Sequence, residues 1–176
     1  MGENGAGKST LIKAITGALR LDAGEILLDG APVHLARPAD AIAAGISTVY
    51  QEIDLLPNLT VAENVSLGRE PRRFGIIDHA EMRRRAAAAL ESLGVSIDPG
   101  SLLSSHSLAI QQLVAIARAV SGDGLRVLVL DEPTSSLDAD EVAELFRVVR
   151  ELTARGIAVL FVSHFLDQVY EICDRI

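Results

Sequence analysis

The stretch Gly2-Glu3-Asn4-Gly5-Ala6-Gly7-Lys8-Ser9-Thr10 has the spacing Gly-x4-Gly-Lys-Ser of a phosphate-binding loop. Its glycines let successive backbone N–H groups curl round a phosphate chain. Lys8 reaches the outer phosphates, and Ser9 binds the Mg²⁺ that accompanies them. Such a loop must lead into a helix whose N-terminal dipole faces the anion, and Thr10 to Leu19 supplies it. A chance glycine-rich turn is the competing account, and the rest of the chain decides against it.

Two apolar runs, Arg126 to Leu130 and Ile157 to Val162, have the character of strands buried on both faces of a parallel sheet. They end in Asp131-Glu132 and Ser163-His164. Ligands of open α/β sheets sit beyond the carboxyl ends of the strands, so both pairs are expected at one edge. There Asp131 can hold Mg²⁺ and Glu132 can orient an attacking water, although an acidic pair taken alone is usually just solvated. Gly24 to Gly30 reads as a short strand with a turn, and Ile46 to Tyr50 as another strand. Helices are expected over Asp78 to Leu93 before Gly94, Leu108 to Val120 before Gly122, and Asp140 to Ala154. The fold class is therefore α/β, with a mostly parallel sheet flanked by helices.

A chain of 176 residues fits one domain, and 49% hydrophobic residues with only 3% aromatic suit Ala-rich helices on aliphatic strands. The formal net charge of -8 argues against a general nucleic-acid-binding surface, so a ligand's negative charge must be met locally. Cys173 stands alone and reads as a small buried apolar residue. No run of eighteen apolar residues occurs, and neither a membrane span nor a signal peptide is expected. Membrane association is expected to go through a partner.

The order GENGAGKST, then VYQE at Val49 to Glu52, then LVLDEPTSSLD ending at Asp138, then FVSH at Phe161 to His164 resembles the ATP-binding-cassette (ABC) ATPases over nearly the whole chain. The resemblance implies a P-loop NTPase fold with a helical subdomain, approximately residues 55–120, and a small antiparallel β part. It implies ATP and Mg²⁺ as ligands. Gly2, Glu3, Asn4, Gly5, Ala6, Gly7, Lys8, Ser9 and Thr10 hold the nucleotide, and Ser9, Gln51 and Asp131 hold the metal. Glu132, His164 and Gln51 take the catalytic roles: water activation, contact with the γ-phosphate, and contact with metal and water near the membrane subunit. Asp138 matches an aspartate at the interface between two cassettes, and it also reads as a helix N-cap. An isolated Gln or His in these places would read as a surface or structural side chain.

One motif departs from the family. Where an LSGGQ-like signature is expected, the chain has His106-Ser107-Leu108-Ala109-Ile110. Ser107 is kept to cap the helix and meet a phosphate held by the opposing cassette, while the glycines and the polar residue are lost. Sugar-importer ATPases of the ribose, galactose and xylose type are most similar, in Gln111-Gln112, Leu59 to Asn64 and Phe165 to Gln168. That likeness implies the first of two cassettes, peripheral on the cytoplasmic face of the cell membrane. Its implied partners are a second cassette, transmembrane permease subunits and, indirectly, an extracytoplasmic sugar-binding protein, with no nucleic acid. A non-catalytic regulatory cassette and a nucleic-acid-directed ATPase are the alternatives. A P-loop is normally launched from a buried strand, so the chain is expected to be cut at both ends, with Val127 to Leu130 and Ala158 to Val162 short of hydrogen-bond partners. Arg72, Arg73 and Arg83 to Arg85 form a local basic cluster, read as a solvated helix face, with contact to the membrane subunit or to anionic lipid as the alternative.

Overall fold

The computed structural model describes residues 7–51, 54–122 and 124–176. In chain order these form α1 (Lys8–Ile15), β1 (Ile26–Leu28), β2 (Ala31–Val33), α2 (Pro38–Ala43), β3 (Ile46–Val49), α3 (Val61–Ser66), β4 (Arg72–Arg73), β5 (Ile76–Ile77), α4 (His79–Ser92), α5 (Leu108–Val120), β6 (Val127–Asp131), α6 (Ala139–Ala154), β7 (Ala158–Val162) and α7 (Leu166–Ile172).

The parallel sheet has the order β3-β6-β7. Val49, Leu130 and Phe161 lie level across it. Because side chains alternate along a strand, β6 serves two cores at once. Leu128 and Leu130 pack with α3, α4, α5 and α6, while Val129 joins Ile12 of α1, Ala41 of α2 and Ile46 of β3 on the other face. This placement corrects one expectation. Val127 to Leu130 is the central strand and is paired on both sides, so it is not short of partners. Among the described residues, the unpaired edges belong to β3 and to the outer side of β7. A strand apolar on both faces takes the middle position because only there are both its faces and both its edges covered.

The small antiparallel part is β1 with β2, in register Ile26 to Val33. The first helix is shorter than expected, starting at Lys8 and ending at Ile15. Gly17 closes it with φ 70°, and a Cβ there would lie 2.5 Å from the Arg37 carbonyl oxygen, so only glycine fits. Helix α3 has the reciprocal cap that stops a helix fraying. The Thr60 hydroxyl accepts from the Glu63 N–H, and the Glu63 carboxylate accepts from the Thr60 N–H at 2.7 Å. Asn64, fully buried, ties the preceding loop down by accepting from the Leu56 N–H at 2.7 Å and donating to the Leu56 carbonyl at 3.0 Å. Leu59 to Asn64 is thus a loop anchor for the packed helices α3, α4 and α5.

Candidate nucleotide site

Strand β6 runs as far as Asp131, which pairs with Val162 of β7. Glu132 then turns left-handed, with φ 51°, and its N–H donates to the Val162 carbonyl at 2.8 Å. A left-handed glutamate is disfavoured by its Cβ, and the neighbouring strand's hydrogen bond holds it there. Its carboxylate bridges two other elements. Oε1 lies 3.3 Å from Lys8 Nζ at the start of α1, and Oε2 lies 2.5 Å from His164 Nδ1 beyond β7. The Glu132 side chain is only 12% exposed and Lys8 20%, while His164 is 54% exposed, so the carboxylate is sheltered on its Lys8 side and open to solvent at the imidazole. The N-terminus of a helix and the carboxyl ends of two strands therefore meet at one carboxylate.

Beside it, burial first and the Glu132 charge second push the Asp131 carboxyl above its ordinary range, with Lys8 opposing them. Two neighbouring carboxylates in a half-dry position favour a cation. One carboxylate with a nearby hydroxyl, leaving the remaining positions to phosphate oxygens and water, fits Mg²⁺. Among the described residues no group of three or more His, Cys, Asp or Glu could hold a metal ion by itself.

His164 is positioned by its neighbours. The buried Ser163 accepts the Phe165 N–H on its hydroxyl at 3.1 Å, and the Phe165 ring lies against the imidazole with centroids 4.0 Å apart. Thr134, buried in the turn after Glu132, donates its hydroxyl to Gln168 Oε1 on α7 at 2.6 Å. That bond ties the turn carrying Glu132 to the helix that follows His164. Sequence reasoning missed the pair, although both residues lie in the motif stretches it quoted.

The other expected site residues fall into three groups. Ser9 and Thr10 sit exposed in the first turn of α1, next to Lys8. Gln51 follows Val49 by two residues, as Glu132 follows Leu130, so it shares the sheet edge; its side chain is exposed and hydrogen-bonds to none of Lys8, Glu132 and His164. Near it, a cleft of about 490 Å³ opens between β3 and α5, lined by Thr48, Tyr50, Asp54, Arg69 and Arg118 among others. Arg118 of α5 donates to the Asp54 carbonyl at 2.9 Å and so holds the loop after Gln51. Gly2 to Ala6 and Glu52 lie outside the described residues.

Ser107 caps α5, its hydroxyl accepting the Ile110 N–H at 3.4 Å, and it is not part of the Lys8–Glu132–His164 cluster. His106 beside it is fixed through Ser101. The single hydroxyl hydrogen of Ser101 goes to the Asp98 carbonyl at 2.6 Å, so His106 Nε2 donates to Ser101 Oγ, also at 2.6 Å. Asp138 is the N-cap of α6 in a capping box with Glu141, so the plain structural reading of that aspartate holds.

Residues 1–135 match the model of the ABC transporter family. A ribose import ATP-binding protein of Rubrobacter xylanophilus is 52% identical over all of this chain, and a fructose import ATP-binding protein of Bifidobacterium longum is 55% identical over the same extent. The chain spans 35% and 34% of the length of these two curated relatives. Among solved structures, an ABC transporter component from Clostridium perfringens superposes with a TM-score of 0.82 at 30% identity, covering 99% of this chain and 69% of that one. The chain belongs to the ABC transporter ATP-binding family.

Proposed function

We propose that the protein hydrolyses ATP to energise the import of a monosaccharide. The carrying observation is the meeting of Lys8, Glu132 and His164 at one carboxylate beyond the strand ends. Lys8 supplies positive charge to the β- and γ-phosphates, and the stretch Gly2 to Thr10 is assigned to nucleotide binding by its sequence. Ser9, Asp131 and Gln51 would hold Mg²⁺, which would supply charge neutralisation to the phosphates. Glu132 accepts a proton from the attacking water, and His164 contacts the γ-phosphate once Glu132 turns toward that water. Names of relatives at about half identity support sugar import, in the ribose, galactofuranose and fructose group.

The reading includes permease subunits as partners; among the described residues no helix is long and apolar enough to cross a membrane. The protein then sits peripherally on the cytoplasmic face. The cleft beside Gln51 is the proposed seat of a permease segment, because there Arg118 would pass its movement to the Asp54 loop. A second cassette completes each ATP site across an interface containing Ser107 and Asp138, and an extracytoplasmic binding protein delivers the sugar. The full-length protein, reconstituted with its permease in vesicles, should couple ATP turnover to sugar uptake. Turnover without any sugar-dependent stimulation would contradict the import reading.

The loss of two glycines and a polar residue at Leu108, Ala109 and Ile110 weakens the site that this segment completes on the partner's phosphate loop, and it favours a second reading, in which this cassette binds ATP as a non-catalytic regulator. Phosphate release measured with a partner whose own site is disabled separates the two.

A further inference from the structure

A hairpin on the helical side of the molecule combines three features that folding does not require. Strands β4 and β5 pair Arg72 with Ile77 and Arg73 with Ile76, and only Phe74 and Gly75 lie between them. Both turn residues have positive φ, 53° and 82°, the pattern of a type I′ turn, which favours Asn-Gly and disfavours an aromatic first residue. Phe74 is nevertheless 92% exposed and Ile76 75% exposed, so neither contributes to the core. The Arg73 guanidinium sits over the Phe74 ring at 5.6 Å.

The charge around the hairpin runs against the rest of the chain. Residues 69–85 hold six arginines and three acidic residues, whereas the whole protein has a net charge of -8. Arg72 and Arg73 are exposed on the hairpin itself, and Arg83, Arg84 and Arg85 are exposed on the helix it leads into. Glu81 takes up Arg84 and Arg85 in ion pairs. The Asp78 N–H donates to the Pro71 carbonyl at 2.8 Å, fixing the hairpin against the start of α4.

We propose that the hairpin tip, Phe74 and Ile76 flanked by Arg72 and Arg73, is an anchor for an anionic lipid surface. The two apolar side chains enter the headgroup boundary, and the arginines take lipid phosphates. A basic, apolar tip on an acidic protein gives a single orientation, because the remaining surface is repelled by the same lipids. Arg69, three residues before the hairpin, lines the cleft beside Gln51, so an anchored hairpin keeps that cleft at the membrane. The inference goes beyond the transport reading and is tested without a permease, so either can fail alone.

The test is flotation of the full-length protein with vesicles of phosphatidylcholine alone or mixed with phosphatidylglycerol. Binding is expected only to the mixed vesicles, falling with salt and falling about fivefold with each of Arg72→Gln and Arg73→Gln. Phe74→Asn relaxes the turn, so it should weaken vesicle binding several-fold while leaving thermal unfolding unchanged or raised. Equal binding to both vesicle types, or no effect of these substitutions, overturns the proposal. So does loss of permease binding in detergent with vesicle binding intact, because the tip would then recognise protein.

Discussion

Lys8 Nζ and Glu132 Oε1 stand 3.3 Å apart, so the lysine proposed to serve the phosphates is bonded to the carboxylate proposed to serve the water. Nucleotide binding must exchange this ion pair for a Lys8–phosphate pair, and the exchange frees Glu132. Glu132→Gln weakens the competing partner without changing its shape. It is therefore expected to bind ATP several-fold more tightly than the parent protein, a gain of roughly 1 kcal/mol. Titration calorimetry with Mg-ATP checks this, and weaker binding by the variant would show that the pair does not compete.

Asp131 gives a prediction about pH. Its carboxyl is raised in the fold by burial and by Glu132, so ionising it costs stability relative to the unfolded chain. That cost is absent below the ordinary aspartate range, grows as pH rises from there to the raised value, and is fully present above it. Asp131→Asn should therefore raise the melting temperature at neutral pH, reduce its decline from acid to neutral pH, and abolish the Mg²⁺ dependence of ATP binding. A lower melting temperature at neutral pH would mean that Lys8 outweighs burial.

The bond between Thr134 and Gln168 is expected to matter through what it leaves behind when cut. Thr134→Val strands the Gln168 amide beside a buried site and should cost about 1–3 kcal/mol in chemical unfolding. Adding Gln168→Met removes the stranded group and should recover most of the loss. Additive losses in the double variant would show that the two residues act separately.

Repairing the altered signature should trade stability for turnover. Leu108→Gly with Ala109→Gly places two glycines in the first turn of α5, at about 1 kcal/mol each, and Ile110→Gln takes an apolar side chain off the core. The combined variant should be less stable yet hydrolyse ATP faster when its partner has a working phosphate loop. Unchanged turnover beside such a partner would contradict the proposed role of this segment.

How much was legible depended on the kind of signal. The α5 boundaries, Leu108 to Val120, follow from an apolar-rich run stopped just before Gly122, and the spans of β6 and β7 from apolar runs that end in Asp131-Glu132 and Ser163-His164. Asp131-Glu132 and Ser163-His164 could be placed at one edge because both strands are parallel and both end in polar residues. The order β3-β6-β7 was not legible, since three apolar strands look alike until packing chooses the middle one. Hence the Lys8–Glu132–His164 contact could be expected as roles but not as touching side chains. Helix α3 was missed although Thr60 and Glu63 spell its capping box, because six residues give too short a period. The β4–β5 hairpin was missed because its strands have two residues each and its turn holds Phe-Gly in place of Asn-Gly.

The central claim is that Glu132 activates the attacking water at a site that Lys8 and His164 complete. Phosphate release by full-length Glu132→Gln, measured at saturating Mg-ATP beside a partner cassette inactivated at its own phosphate loop, tests it most directly. Retained ATP binding with turnover reduced by about a hundredfold or more is expected. Turnover at the parent rate, with binding intact, would contradict it.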